Sequence, residues 1–87
     1  MVLLQSISVP GCVECRKFDE WWLKNSASFP NVKYEKIVIG EDPRWQELVL
    51  QYQIMTSPGI VINGELFSTG GVNTEKLSKK LYAYRTK

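Results

Sequence analysis

The sequence predicts an α/β domain in the order βαβαββα, a four-stranded mixed sheet with helices on both faces. Three observations carry that prediction. Val2 to Val9 is an apolar run stopped by Pro10-Gly11. Trp45, Leu48, Val49 and Tyr52 recur at the spacing of one helical face. Asn63-Gly64 divides two short strand-like runs.

Taken in order, Val2 to Val9 is rich in Val, Leu and Ile and suits a buried strand. A helix from Cys12 to about Ala27 follows. Phe18, Trp22 and either Cys15 or Trp21 fall on its apolar stripe, and Ser28 to Asn31 with Pro30 closes it. Adjacent Trp residues cannot share a stripe, so Trp22 is assigned to the core and Trp21 partly to the surface. Val32 to Ile39 is the second strand, ending before Gly40. Asp42 reads as an N-cap with Pro43 at the first helical position, and Trp45 as a core residue of that second helix.

Gly59 to Ile62 and Glu65 to Ser68 form a hairpin about Asn63-Gly64, a pair that readily takes positive φ angles. Gly70-Gly71 ends the last strand. Asn73 caps a final helix, with Val72 and Leu77 as its hydrophobic staple and Leu77, Leu81 and Tyr84 as its buried side. The first two strands share a crossover helix and should be parallel, with a right-handed connection. The hairpin adds antiparallel strands.

Composition bounds the function. At 87 residues, 44% hydrophobic and 23% charged, the chain is one globular domain, residues 1–87, without repeats or linkers. No apolar run reaches the roughly 20 residues needed to span a bilayer. The N-terminus reads as a strand and not as an export signal, so a cytoplasmic location is expected. Neither a nucleic-acid nor a membrane partner is expected. From Glu75 to Lys87 five basic residues face one acidic; the rest has six basic and eight acidic. A solvated last helix, its cations at the negative end of the dipole, accounts for Lys76, Lys79, Lys80, Arg85 and Lys87.

The chemistry lies in the cysteines. There are two, Cys12 and Cys15, and no histidine. A bridge this short is a poor staple, since a small loop constrains the unfolded chain least. Zinc wants about four ligands, which two cysteines cannot supply within one chain. The pair stands where a strand becomes a helix, and a helix N-terminus favours a thiolate. Arg16 and Lys17 favour it further, while Glu14 opposes it. Cys15, one turn deeper, is placed to attack a mixed disulfide on Cys12. Proline in Thr56-Ser57-Pro58-Gly59 cannot donate to a ladder and belongs at the start of the third strand.

Three stretches, Pro10-Gly11-Cys12-Val13-Glu14-Cys15, Thr56-Ser57-Pro58-Gly59-Ile60-Val61-Ile62-Asn63-Gly64 and Gly70-Gly71, carry a resemblance to the thioredoxin superfamily. Over nearly its whole length the chain resembles the very small thioredoxin- and glutaredoxin-like proteins of bacteria and archaea. The resemblance implies a thiol–disulfide oxidoreductase with Cys12 attacking and Cys15 resolving, a cis Pro58, and the sheet order second, first, third, fourth strand. It implies substrate contacts at Gly11, Val13, Glu14, Thr56, Ser57, Pro58, Gly70 and Gly71, with the Ser57 backbone pairing to the substrate chain. It also implies no cofactor beyond the redox-active disulfide, no metal, and a monomer that reduces protein disulfides. The electron donor would be a flavoprotein of the thioredoxin-reductase kind or glutathione. Gly11 stands where typical thioredoxins have Trp, and Val13-Glu14 where common glutaredoxins have Pro-Tyr. The acidic residue that glutaredoxins place near such a Gly-Gly corner is missing, with Asn73 in its neighbourhood.

The alternative is a module that carries copper or an iron–sulfur cluster on the two thiolates. Small copper chaperones end in a strand, whereas this chain is read as ending in a helix.

Overall fold

A computed structural model describes residues 1–85, apart from the side chain of Arg85. Lys87 and the Arg85 side chain, two members of the basic cluster, therefore lie outside the described residues. The elements run β1 (Val2–Ser8), α1 (Val13–Asn25), a 3-10 turn (Ser26–Ser28), β2 (Val32–Val38), α2 (Trp45–Tyr52), β3 (Gly59–Ile62), β4 (Glu65–Thr69) and α3 (Thr74–Arg85). The order and the helical end match the sequence reading.

The sheet has the order β2-β1-β3-β4. β1 and β2 are parallel, Val2 beside Val32 through Ser8 beside Val38. β3 runs antiparallel to both β1 and β4. The β3–β4 turn has the predicted form, with Asn63 at φ 49° and Gly64 at φ 81°. Asn63 Oδ1 also accepts from the Leu3 N–H at 2.8 Å, which ties the hairpin back to β1.

Strand alternation divides the core in two. Val2, Leu4, Ile60 and Ile62 pack with Phe18, Trp22, Phe29, Leu77 and Leu81 on one face, the side of α1 and α3. Ile7, Ile37, Val61 and Ile54 pack on the other, beneath Trp45, Leu48, Val49 and Tyr52 of α2. Trp22 is buried and Trp21 half-buried, as the adjacent pair required, and Cys15 completes the buried stripe of α1. Asn73 caps α3, its Oδ1 accepting from the Lys76 N–H at 3.0 Å.

Several boundaries move. β1 and β2 each end one residue early and β4 one residue late. The α-form of α1 stops at Asn25, and the chain tightens into the 3-10 turn before Phe29. The second helix begins at Trp45, not Pro43. Asp42 still supplies cap chemistry, since its Oδ1 accepts from the Arg44 N–H at 2.9 Å. Its carbonyl, however, takes the Trp45 N–H, a tighter turn than an α-helix makes. Trp45 is half-buried, and none of the residues of α2 is fully enclosed. An eight-residue helix lying over one sheet face covers that face without being covered itself.

Candidate active site

The strand β1 reaches the site through a tight reversal. The Cys12 N–H donates to the Val9 carbonyl at 3.3 Å, and Gly11 sits at φ +78°. Proline second and a left-handed glycine third is the sequence a type II turn demands. A Cβ on Gly11 would meet nothing within 4 Å, so backbone conformation, not space, requires glycine there. Pro10-Gly11 thus turns the chain from the sheet directly into α1.

Cys12 is the N-cap of α1, in extended conformation at φ −79° and ψ 117°. Its Sγ accepts from the Cys15 N–H at 3.1 Å, and its carbonyl accepts from the Arg16 N–H at 3.1 Å. A sulfur therefore does what Ser or Asp commonly does at a helix start, and any negative charge on it meets unpartnered amides and the positive end of the helix dipole. Cys12 and Cys15 are joined as a disulfide with their Cα atoms 5.2 Å apart. Cys12 is half-exposed and Cys15 buried, 4% accessible. An incoming disulfide can reach the first sulfur; the second is held inside.

Beneath the pair lies a cavity of about 260 Å³ that both cysteines line. Polar side chains line it: Ser8 from β1, Asp19 from α1 and Lys36 from β2. Alternation sends Ser6 and Ser8 to the α1 side of the sheet, continuing the line of Val2 and Leu4, and the buried Ser8 Oγ has no hydrogen-bond partner. Lys36 Nζ lies 2.6 Å from Asp19 Oδ2, and the Tyr34 hydroxyl donates to Asp19 Oδ1 at 3.2 Å. Burial, and then the neighbouring carboxylate of Asp19, push the Tyr34 hydroxyl far above its ordinary range. Arg16 and Glu41 stand along the same cavity, and neither pairs with a charged group among the described residues.

The remaining residues implied by resemblance form a second flank. The Ser57–Pro58 peptide is cis, with Pro58 buried and Ser57 half-buried ahead of β3. A Cβ on Gly70 would lie 3.3 Å from Thr56 Oγ1, and one on Gly71 3.4 Å from Glu14 Oε2. Thr56, Gly70, Gly71 and Glu14 are thereby brought together beside the cysteine helix. Val13 is exposed, 64% accessible. Thr56, Ser57 and Pro58 do not line the cavity; Ser8, Asp19 and Lys36 do, and the sequence reading did not name those three. Asp19 and Lys36 meet across 17 residues of chain, a separation with no sequence signature. The two serines in an otherwise apolar strand are the sign that was present.

A family model described as "Thioredoxin domain" matches residues 5–83. No curated protein matches the sequence. Among solved structures, thioredoxin from Trypanosoma brucei brucei superposes with a TM-score of 0.78 at 20% identity, covering 100% of this chain and 77% of that one. Fasciola hepatica thioredoxin gives 0.74 at 18%, covering 94% and 79%. A poplar thioredoxin h gives 0.74 at 19%, covering 99% and 78%. At such identities the likeness is one of fold.

Proposed function

The chain belongs to the thioredoxin domain family, and from that premise we propose that it is a dithiol reductant of protein disulfides, with Cys12 attacking and Cys15 resolving. One observation carries the assignment of roles: Cys12 is the half-exposed cap of α1, and Cys15 is buried one turn behind it. Cys12, as thiolate, attacks one sulfur of a substrate disulfide, and the other sulfur leaves as a thiolate that takes up a proton. Cys15 then gives up its proton and attacks the Cys12 sulfur, releasing the second substrate thiolate. The substrate gains two electrons and two protons, and the protein is left with the Cys12–Cys15 bridge. An electron donor, a flavoprotein reductase or glutathione, returns the pair to the dithiol.

Burial makes the second step the harder one, because a thiolate at Cys15 forms away from water. Two carboxylates, Asp19 and Glu41, line the cavity that Cys15 also lines; Asp19, one turn beyond Cys15 on the same helix, is the one we assign to take that proton. Lys36 and Tyr34 hold it in place.

The test is trapping. Cys15→Ser protein offered a protein disulfide should accumulate a mixed disulfide on Cys12, while Cys12→Ser should accumulate none. A stable adduct on Cys15 in the Cys12→Ser protein would reverse the roles.

A further inference from the structure

We propose that Glu14 sets the charge preference of the site: its carboxylate selects disulfides flanked by Lys or Arg over those flanked by acidic residues. The inference rests on the dithiol reading above.

Glu14 lies between the two cysteines, in the first turn of α1. Its two oxygens are used differently. Oε1 pairs with Lys17 Nζ at 3.3 Å, an (i, i+3) contact along the helix. Oε2 makes no hydrogen bond to any described residue and faces Gly71, where a Cβ would stand 3.4 Å away. Gly71 is exposed and has no side chain, so nothing on that residue covers the oxygen. A substrate bringing its sulfur to Cys12 places its neighbouring residue within reach of this carboxylate, two positions along the helix.

Lys17 offsets the charge only in part. Its side chain is 67% exposed, where solvent screens the pair, and its ammonium meets Oε1, whereas the Glu14 side chain is 46% exposed with Oε2 at the glycine corner. A flanking Lys or Arg gains a charge-assisted acceptor at Oε2; a flanking carboxylate, or a small net-anionic disulfide, meets repulsion.

The experiment compares two disulfide peptides identical except for Lys or Glu next to the half-cystine, at low ionic strength. Wild-type protein should reduce the Lys peptide about threefold to tenfold faster in kcat/KM, and Glu14→Gln should bring the ratio to within about twofold of unity. Loss of the Glu14 charge also favours the Cys12 thiolate, but that effect is common to both peptides and cancels in the ratio. High salt should compress the wild-type ratio and leave the Glu14→Gln ratio unmoved. A wild-type ratio near unity, or a ratio that survives Glu14→Gln, overturns the inference while leaving the dithiol reading intact. Reduction of neither peptide overturns that reading, and this inference with it.

Discussion

Gly59→Ala tests how the loop before β3 is held against the sheet. Gly59 is buried and follows Pro58 directly, and a Cβ there would stand 2.7 Å from Ile54 Cδ1, 3.0 Å from Cγ2 and 3.1 Å from Cγ1. Three atoms of one β-branched side chain are crowded at once. Ile54 is itself buried, 7% accessible, packed with Ile7, Ile37 and Val61, so turning away would break those contacts. Overpacking of this kind costs about 1–3 kcal/mol, against which the stiffer unfolded chain returns about 0.4–1 kcal/mol. The expected net loss is about 1–2 kcal/mol, which for a domain this small lowers Tm by roughly 5–10 °C. Thermal unfolding followed by circular dichroism reads it. Ile54→Val removes the atom at 2.7 Å, so the alanine should cost less in that background, with a coupling of about 1 kcal/mol in the double-mutant cycle. A Gly59→Ala protein as stable as wild type, or costs that simply add, would refute this packing argument.

Three other outcomes are expected. Asp19→Asn should slow resolution of a trapped mixed disulfide about tenfold or more at neutral pH, the gap narrowing only at alkaline pH, where the buried Cys15 thiol ionises unaided; equal rates at every pH would remove Asp19 from the mechanism. Because the Tyr34 hydroxyl titrates higher in the folded protein than its unfolded value of about 10, its contribution to stability is complete below that pH and is lost as pH rises above it. Tyr34→Phe should therefore flatten the alkaline fall in denaturant stability above about pH 10, and an unchanged slope would count against the burial argument. The trapping pair, Cys15→Ser and Cys12→Ser, should differ in whether an adduct forms, read by mass spectrometry of the intact protein.

Much of this architecture was legible because local signals agreed with one another. Pro10-Gly11, Asn63-Gly64 and Asn73 each name a turn or a cap, and each does that work in the fold. The strand run of β1 and the stripe of Cys15, Phe18 and Trp22 name the core around which the site is hung. Trp45 shows where periodicity falls short: a helical stripe tells which side faces the sheet but not how deeply a short helix settles on it. Asp42 shows the same at a boundary, since its carboxylate caps a turn while the α-helix waits until Trp45. Ile54 gave no signal because it lies in a connecting segment, where burial follows from tertiary packing and not from periodicity.

At the site, the sequence named the sulfurs and the loops but not the chamber under them. Cys12, Cys15 and Pro58 are fixed by their own backbone chemistry. Asp19 and Lys36 meet only because α1 packs over the face of the β1–β2 pair from which Lys36 projects. The polar line of Ser6 and Ser8 in a buried strand is the nearest the chain comes to announcing it.

The account stands or falls most directly on the reduction potential of the Cys12–Cys15 pair, measured by equilibrating the protein in glutathione redox buffers and trapping free thiols. A reversible two-electron couple at about −230 mV or below is the predicted result for a reductant of protein disulfides. A couple near −120 mV, that of an oxidant, or a pair that forms no disulfide at any poise, would contradict it.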